Sequence, residues 1–149
     1  MNPNDLVQNV LLGFGVTASN VTFNNDPGTM MQGNARSFTA TNFPYSQGVY
    51  IRTLGGDYVS SDPDLNAIST NVVTNGGILE FDFVAAGNNL SFNYMFASEE
   101  YPDFVCSEYN DVFGFFISGP GINGPYSNNA ENIALIPNTN IPVAINTVN

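Results

Sequence analysis

The chain has 149 residues, the size of one domain, and 13 acidic side chains against two arginines give it a net charge of −11. A field of that sign repels nucleic-acid phosphates and anionic lipids, so we expect neither nucleic acid as a partner nor insertion into a membrane. The absence of histidine and the single cysteine exclude an internal disulfide and a Cys/His zinc site, so any metal must be held by oxygen.

The N-terminal segment MNPNDLVQNVLLGFG predicts one short helix. Asn2 or Asn4 would cap it, Pro3 and Asp5 suit its first turn, and Gly13 would end it. Its apolar face would consist of Leu6, Val7, Val10 and Leu11. Because the segment has no basic start and its apolar part is too short to cross a bilayer, we expect neither a signal peptide nor a membrane helix.

The rest of the chain is rich in Phe, Tyr, Thr, Asn and Gly, a mixture that favours strands and turns. The predicted strands are 16–23, 36–41, 49–53, 78–84, 89–97, 111–118, 132–136 and 143–148. Many short strands with Gly- and Pro-rich turns between them are typical of a β-sandwich. We therefore expect an all-β, jelly-roll-like sandwich with one short N-terminal helix, in a single domain over residues 1–149.

Two neighbouring runs have the clearest strand pattern. In LEFDFV, Leu79, Phe81 and Phe83 alternate with Glu80 and Asp82, which predicts aromatic side chains inward and acids in water. The run LSFNYMF alternates in the same way. Because the turn AAGNN separates the two runs, we expect them to form a hairpin.

The last third of the chain contains a predicted central strand and stops within another predicted strand. The run DVFGFFIS is apolar on both faces, and Gly114 within it indicates close backbone approach or a bulge. The chain stops at PVAINTVN, inside a strand-forming run. We expect either that the domain is truncated at its C-terminus or that another chain completes its last sheet through an open edge.

The segments FNYMFASEEYPDFVCSEYNDVFGFFISGPG and NIALIPNTNIPVAINTVN resemble the choice-of-anchor L family. The opening DLVQNVLLGFGVTASNVTFN and the middle LEFDFVAAGNNLSFNYMFASEEY are similar to the same domain, so the resemblance covers nearly all of the chain. It implies an exported β module of bacterial secreted or surface-attached proteins. Two features depart from the family pattern: the further strands and anchor of longer members are missing, and Cys106 occupies a loop position that needs no thiol.

The stretch FASEEYPDFVCSEYNDVFGFF crowds five carboxylates between two apolar runs. Like charges about 4 Å apart repel by about 1 kcal/mol in water and by several times more near a protein surface. A calcium ion, which binds carboxylate, amide and carbonyl oxygens in an adaptable geometry, would offset them. The expected ligands are Glu99, Glu100, Asp103, Asn110 and Asp111, with Glu108 less favoured. Two alternatives remain: a solvated acidic loop, or a network paired with Arg36 or Arg52.

A second acidic group, Asp57, Asp62 and Asp64, lies in GGDYVSSDPDL. Asp62 precedes Pro63, a combination typical of a turn start. The sequence does not decide whether any of the three joins an ion site.

Carboxylate pairs such as Glu99 with Asp111, or Glu100 with Glu108, could serve a glycosidase. The chain has no Trp to form a sugar platform, and without His or Lys a Ser or Cys nucleophile has no ordinary activating base. We therefore expect no enzyme.

Tyr101 and Tyr109 lie in the acidic stretch and would present rigid, amphipathic rings to a sugar or a protein. The leading hypothesis is a non-catalytic, calcium-stabilised module at the bacterial cell surface or outside the cell, used in adhesion or in binding a glycan or protein. The alternative is a structural subunit that self-assembles into a filament or surface layer through an open sheet edge.

Overall fold

The computed structural model describes residues 2–24, 48–49, 51, 61–69, 72–74, 76–98 and 100–148. Within them, strands form small antiparallel sheets, accompanied by short helices. The chain divides into two compact units. The first unit contains Met1–Ser60 and Asn75–Phe92, and the second contains Ser61–Thr74 and Asn93–Asn149.

The first unit begins with the predicted helix, which is confirmed. Helix α1 spans Pro3–Leu6 and continues as a π-helical turn over Val7–Leu11. Asn2 is its cap, and the Asn2 side-chain oxygen accepts a hydrogen bond from the Asp5 backbone N–H at 2.9 Å. Leu6 is completely buried and forms the centre of the unit's core. The apolar residues around it are Val10, Phe23, Val49 and Leu79.

Strand β1 (Thr17–Asn24) pairs antiparallel with β2 (Ile78–Val84). Both confirm predicted strands, and β2 has the predicted bounds. Leu79, Phe81 and Phe83 are half-buried, whereas the two acids between them are exposed, so the predicted alternation also holds. The side chain of Gln8, from the helical segment, joins this sheet by hydrogen bonds to the backbone of Val16 and Ala18 at 2.9 and 2.8 Å.

The hairpin predicted between 78–84 and 89–97 is wrong, because residues 89–97 contain no strand and β2 pairs with β1. The aromatic alternation in 89–97 has another physical origin. The rings of Tyr94 and Phe96 pack against Phe113, with ring centroids 5.0 and 6.4 Å apart. Two rings that lie two residues apart and pack on one neighbouring ring show the same period as a paired strand.

Four strands of two residues each lie in the described part of the second unit. β3 (Val112–Phe113) pairs with β6 (Val143–Ala144), and β4 (Phe116–Ile117) pairs with β5 (Glu131–Asn132), both antiparallel. The strand predicted over 111–118 is therefore divided in two. Gly114 lies at the division, where a Cβ atom would collide with the Phe116 ring, so the close neighbour is a side chain, whereas the sequence predicted close backbone approach or a bulge.

Two further predictions for the second unit need correction. Asp62 and Pro63 begin a short helix, α2 (Pro63–Ile68), rather than a simple turn, because the Asp62 carboxylate accepts from two N–H groups of the first helical turn. The strand predicted over 143–148 ends at Ala144. There the Thr147 hydroxyl accepts from the Ala144 N–H and donates to the Pro142 carbonyl, which folds the chain into a turn.

The all-β class is confirmed to the extent that most regular structure consists of small antiparallel sheets beside a short N-terminal helix. A sandwich is not confirmed, since the sheets among the described residues have two strands each. Within the described ranges, no helix combines the length and apolar character that crossing a bilayer requires. Assembly through an open edge and the single domain stay predictions, and sedimentation of the purified chain would test the former.

Candidate functional site

Residue 98 and residues 100–111 of the acidic stretch form a loop, with turns over 100–106 and a bend at 107–108, which we call the acidic loop. The Glu100 carbonyl accepts from the Phe104 N–H at 2.9 Å, and the Phe104 carbonyl accepts from the Ser107 N–H at 3.0 Å. The Tyr101–Pro102 peptide bond is cis. The loop thus has its own backbone hydrogen bonds, although it contains no regular helix or strand.

Asn146, a residue outside the loop, forms hydrogen bonds with the middle of the loop through its side chain. The Asn146 side-chain oxygen accepts from the Cys106 N–H at 2.7 Å, and the Asn146 side-chain N–H₂ donates to the Ser107 carbonyl at 3.2 Å. Cys106 is exposed and has a φ of 64°, a left-handed conformation that is uncommon for a residue of this type. The two hydrogen bonds of Asn146 therefore hold the backbone at a strained position.

The end of the loop is fastened by its own polar residues. The Asn110 side-chain oxygen accepts from the Asn146 N–H at 3.1 Å, and the Asp111 carbonyl accepts from the Ile145 N–H at 3.0 Å. The Ser98 hydroxyl donates to the Asp111 carboxylate at 2.5 Å. Asn110 and Asp111, both expected as calcium ligands, thus each take part in closing the loop.

The other expected ligands differ in exposure. Asp103 is exposed, as is the less favoured Glu108, whereas Glu100 is half-buried with one carboxylate oxygen completely covered. Glu99 lies outside the described residues. Among the residues that are described, no three acidic, Cys or His side chains converge closely enough to hold a metal ion. The described residues therefore do not form the calcium site by themselves, and that site stays a prediction.

The arginine-paired alternative also remains a prediction, because Arg36 and Arg52 lie outside the described residues. In the second acidic group, Asp57 lies outside them too. Asp62 caps α2, and the Asp64 carboxylate accepts from both the N–H and the hydroxyl of Ser127 at 3.0 Å. The two described acids of that group thus have structural hydrogen bonds.

Three aromatic side chains are exposed on the acidic loop. Tyr101, Phe104 and Tyr109 expose 50, 44 and 54% of their surface. The rings of Phe104 and Tyr109 pack edge to face with centroids 5.4 Å apart. Aromatic faces can stack on the C–H face of a sugar or contact a cationic peptide, and carboxylates beside them can accept hydrogen bonds from sugar hydroxyls. We call these three residues the aromatic patch.

Two residues of this site, Phe104 and Asn146, are missing from the sequence-based prediction. Asn146 interrupts the apolar run PVAINTVN, and asparagine is depleted in strands and common in turns, which is the signal that could have found it. Phe104 gives no such signal, since a lone Phe is more often buried than exposed.

Searches of curated proteins and of solved structures find no match to this chain. The family model described as the Choice-of-anchor L domain matches residues 1–149, the whole chain. This is a family of non-enzymatic surface domains, which indicates a surface-associated bacterial module, at the cell surface or secreted. The match confirms the resemblance seen in the sequence: the chain belongs to the choice-of-anchor L family.

Proposed function

We propose that the chain is a non-catalytic extracellular module that binds a glycan or a protein through the aromatic patch, and so serves adhesion of a bacterial surface or secreted protein. The observation that carries this proposal is the exposure of Tyr101, Phe104 and Tyr109 on one hydrogen-bonded loop. Large apolar side chains are costly to leave in water, and grouped ones are typical of binding surfaces.

The fastening of the loop supports the same function. The side-chain oxygens of Asn146 and Asn110 accept backbone hydrogen bonds that hold the loop, so less conformational entropy is lost when a ligand orders the aromatic rings. The exposed carboxylates of Asp103 and Glu108 directly precede Phe104 and Tyr109 in sequence and add hydrogen-bond acceptors. They favour ligands that carry hydroxyl, amide or cationic groups over anionic ligands.

Binding of the purified chain to a glycan array and to plates coated with extracellular-matrix proteins tests the proposal. Tyr109→Ala should weaken binding to whichever probe the wild type retains by about tenfold, since an aromatic anchor commonly contributes more than 1 kcal/mol. The matched control is Phe14→Ala, which removes a fully exposed aromatic residue of the first unit. Equal binding by Tyr109→Ala, Tyr101→Ala and wild type would contradict the proposal.

Calcium stabilisation is the second part of the proposal. It is supported by the density of oxygen donors at Glu99, Glu100, Asp103, Asn110 and Asp111 and by the net charge of −11. Thermal melting in calcium chloride and in EDTA tests it, because an ion that binds only the folded chain adds about 2.7 kcal/mol at a concentration 100 times its Kd. Asp103→Asn should reduce the difference, whereas Glu80→Gln on β2 should leave it unchanged. Identical melting midpoints in the two buffers would contradict stabilisation by calcium.

A further inference from the structure

Each of the three aromatic residues of the patch directly follows an acidic residue in the chain. The pairs are Glu100 with Tyr101, Asp103 with Phe104, and Glu108 with Tyr109. Consecutive Cα atoms are about 3.8 Å apart, so no ring of the patch lies far from a carboxylate. The acidic loop itself contains no Lys, Arg or His. Its surface therefore combines exposed aromatic rings with side-chain charge of one sign.

The rest of the chain cannot neutralise this charge. Arg36 and Arg52 are its only basic side chains, and wherever they lie, the net charge stays at −11. The resulting field attracts cationic groups and repels anionic ones. Asp103 and Glu108 are exposed, so a ligand in solution can reach their carboxylates.

The aromatic rings are accessible to a cation. Phe104 and Tyr109 pack edge to face, with ring centroids 5.4 Å apart. In such a pair one ring presents its edge, so the other ring covers neither of its faces. The face of an aromatic ring is electron-rich and attracts the charged end of a Lys or Arg side chain, more often Arg.

A guanidinium group suits this combination better than an ammonium group. It is planar and weakly hydrated, so it stacks on a ring, and its N–H groups donate to a neighbouring carboxylate. A neutral sugar would use the rings but would gain nothing from the charge, and it would displace water from the carboxylates. The pairing of each ring with an acid therefore favours a basic ligand over a neutral one.

The exposure of the rings favours an extended partner over a single small cation. Tyr101, Phe104 and Tyr109 are each about half exposed. One exposed cation–π contact strengthens binding only a few-fold. A chain segment with several arginines can engage more than one ring and more than one carboxylate together, so its contacts accumulate.

We propose that the aromatic patch binds an arginine-rich segment of a partner protein. Its guanidinium groups stack on the rings of Tyr101, Phe104 and Tyr109 and donate hydrogen bonds to the carboxylates of Asp103 and Glu108. This inference rests on the proposed function, since it uses the same patch, and it selects a basic protein segment over a glycan as the ligand.

Isothermal titration of the full chain with an arginine–glycine repeat peptide tests the inference. The buffer is freed of divalent ions, because calcium at the same carboxylates would compete. A second peptide with citrulline in place of arginine keeps the side-chain shape without its charge, and it should bind at least about tenfold more weakly. Raising the salt concentration from about 0.05 to about 0.5 M should weaken binding of the arginine peptide, since salt screens exposed charges.

Two variants separate a site on the loop from general attraction to an acidic chain. Tyr109→Leu keeps an apolar side chain but removes the aromatic face, and Asp103→Asn removes one exposed charge of the loop. Each should weaken binding of the arginine peptide by about 2- to 5-fold. Glu80→Gln, the matched control on β2, removes one exposed acid elsewhere and should bind like the wild type.

The inference is overturned if the wild type binds neither peptide, if it binds both equally, or if Glu80→Gln weakens binding as much as Asp103→Asn. The glycan array distinguishes this failure from failure of the proposed function. If a neutral glycan binds the wild type and not Tyr109→Ala, while the arginine peptide does not bind, the patch binds a glycan. In that case the basic partner is wrong and the proposed function stands.

Discussion

Different kinds of hydrogen bond stabilise the interior of each unit. In the first unit, β1 and β2 form a ladder between strands of eight and seven residues, so the backbone pairs largely with itself. In the second unit each strand among the described residues has two residues, and side chains supply many of the hydrogen-bond partners. Asn110, Asn132 and Asn146 all accept from backbone N–H groups there. Irregular backbone thus needs polar side chains where a ladder is absent.

This difference explains why the proposed binding surface lies in the second unit. A long ladder fixes the chain in an extended form, whereas turns can present successive side chains in one direction. The second unit also contains Asn128, Asn129 and Asn138 with positive φ, a conformation that asparagine tolerates better than most residues. The abundance of asparagine therefore serves turns and caps that shape a loop-rich surface.

The largest expected effect comes from the core of the first unit. Leu6→Ala removes a completely buried side chain and should lower the free energy of unfolding by about 2–5 kcal/mol. Amide exchange measured along β2 would report the loss for the first unit, and exchange along β6 would report the second. Leu90→Ala, at an exposed leucine of the first unit, is the control and should change stability by less than about 0.5 kcal/mol. Equal losses from both variants would show that Leu6 is not the centre of a core.

The second unit should be sensitive to backbone crowding. Gly124→Ala places a methyl group against the Ala130 carbonyl, a backbone atom that cannot rotate away, and should cost about 1–3 kcal/mol. Gly119→Ala is the matched control, because its Cβ would meet only Ile122, at 4.0 Å. Urea unfolding of both variants measures the difference. Should Gly124→Ala unfold at the wild-type midpoint, the turn between Gly124 and Ala130 is not tightly packed.

The contrast between a long strand ladder and short strands joined by turns also determines which parts of the fold can be predicted from the sequence. The bounds of β2 follow from LEFDFV because one face packs inward and the other meets water, a pattern typical of an extended strand. Residues 89–97 have the same period without a partner strand, since the period carries no information on hydrogen-bond partners. Asp62-Pro63 fits both a turn and a helix start, and only the following residues decide between them.

Some features of the candidate site can likewise be predicted from the local sequence, whereas others depend on contacts between distant residues. The exposure of Tyr101 and Tyr109 follows from their position in a polar loop. The roles of Asn110 and Asn146 depend on contacts 36 residues apart in sequence, which no local pattern encodes. A side-chain oxygen such as that of Asn110 can accept a hydrogen bond from a backbone N–H or bind a metal ion. Composition alone therefore could not distinguish loop closure from calcium binding.

The smallest expected effect concerns the acidic loop itself. Asn146→Ala removes the acceptor of the Cys106 N–H and the donor to the Ser107 carbonyl, while the backbone N–H of residue 146 can still donate to Asn110. Because Cys106 and Ser107 lie at the surface or half-buried, water can replace part of what is lost, and we expect a cost of about 0.5–1.5 kcal/mol.

Hydrogen exchange by NMR locates that loss. In Asn146→Ala the Cys106 amide should exchange about tenfold faster, whereas the β2 amides should keep their wild-type rates, because the ladder of the first unit does not depend on this side chain. Asn9→Ala, at an exposed asparagine of the first unit, is the matched control. If the loop relaxes, the aromatic rings lose their fixed spacing and ligand binding weakens without a large change in global stability. An unchanged Cys106 rate would mean that the loop keeps its shape without Asn146, and the preorganisation assigned to this residue would have to come from the turns within the loop.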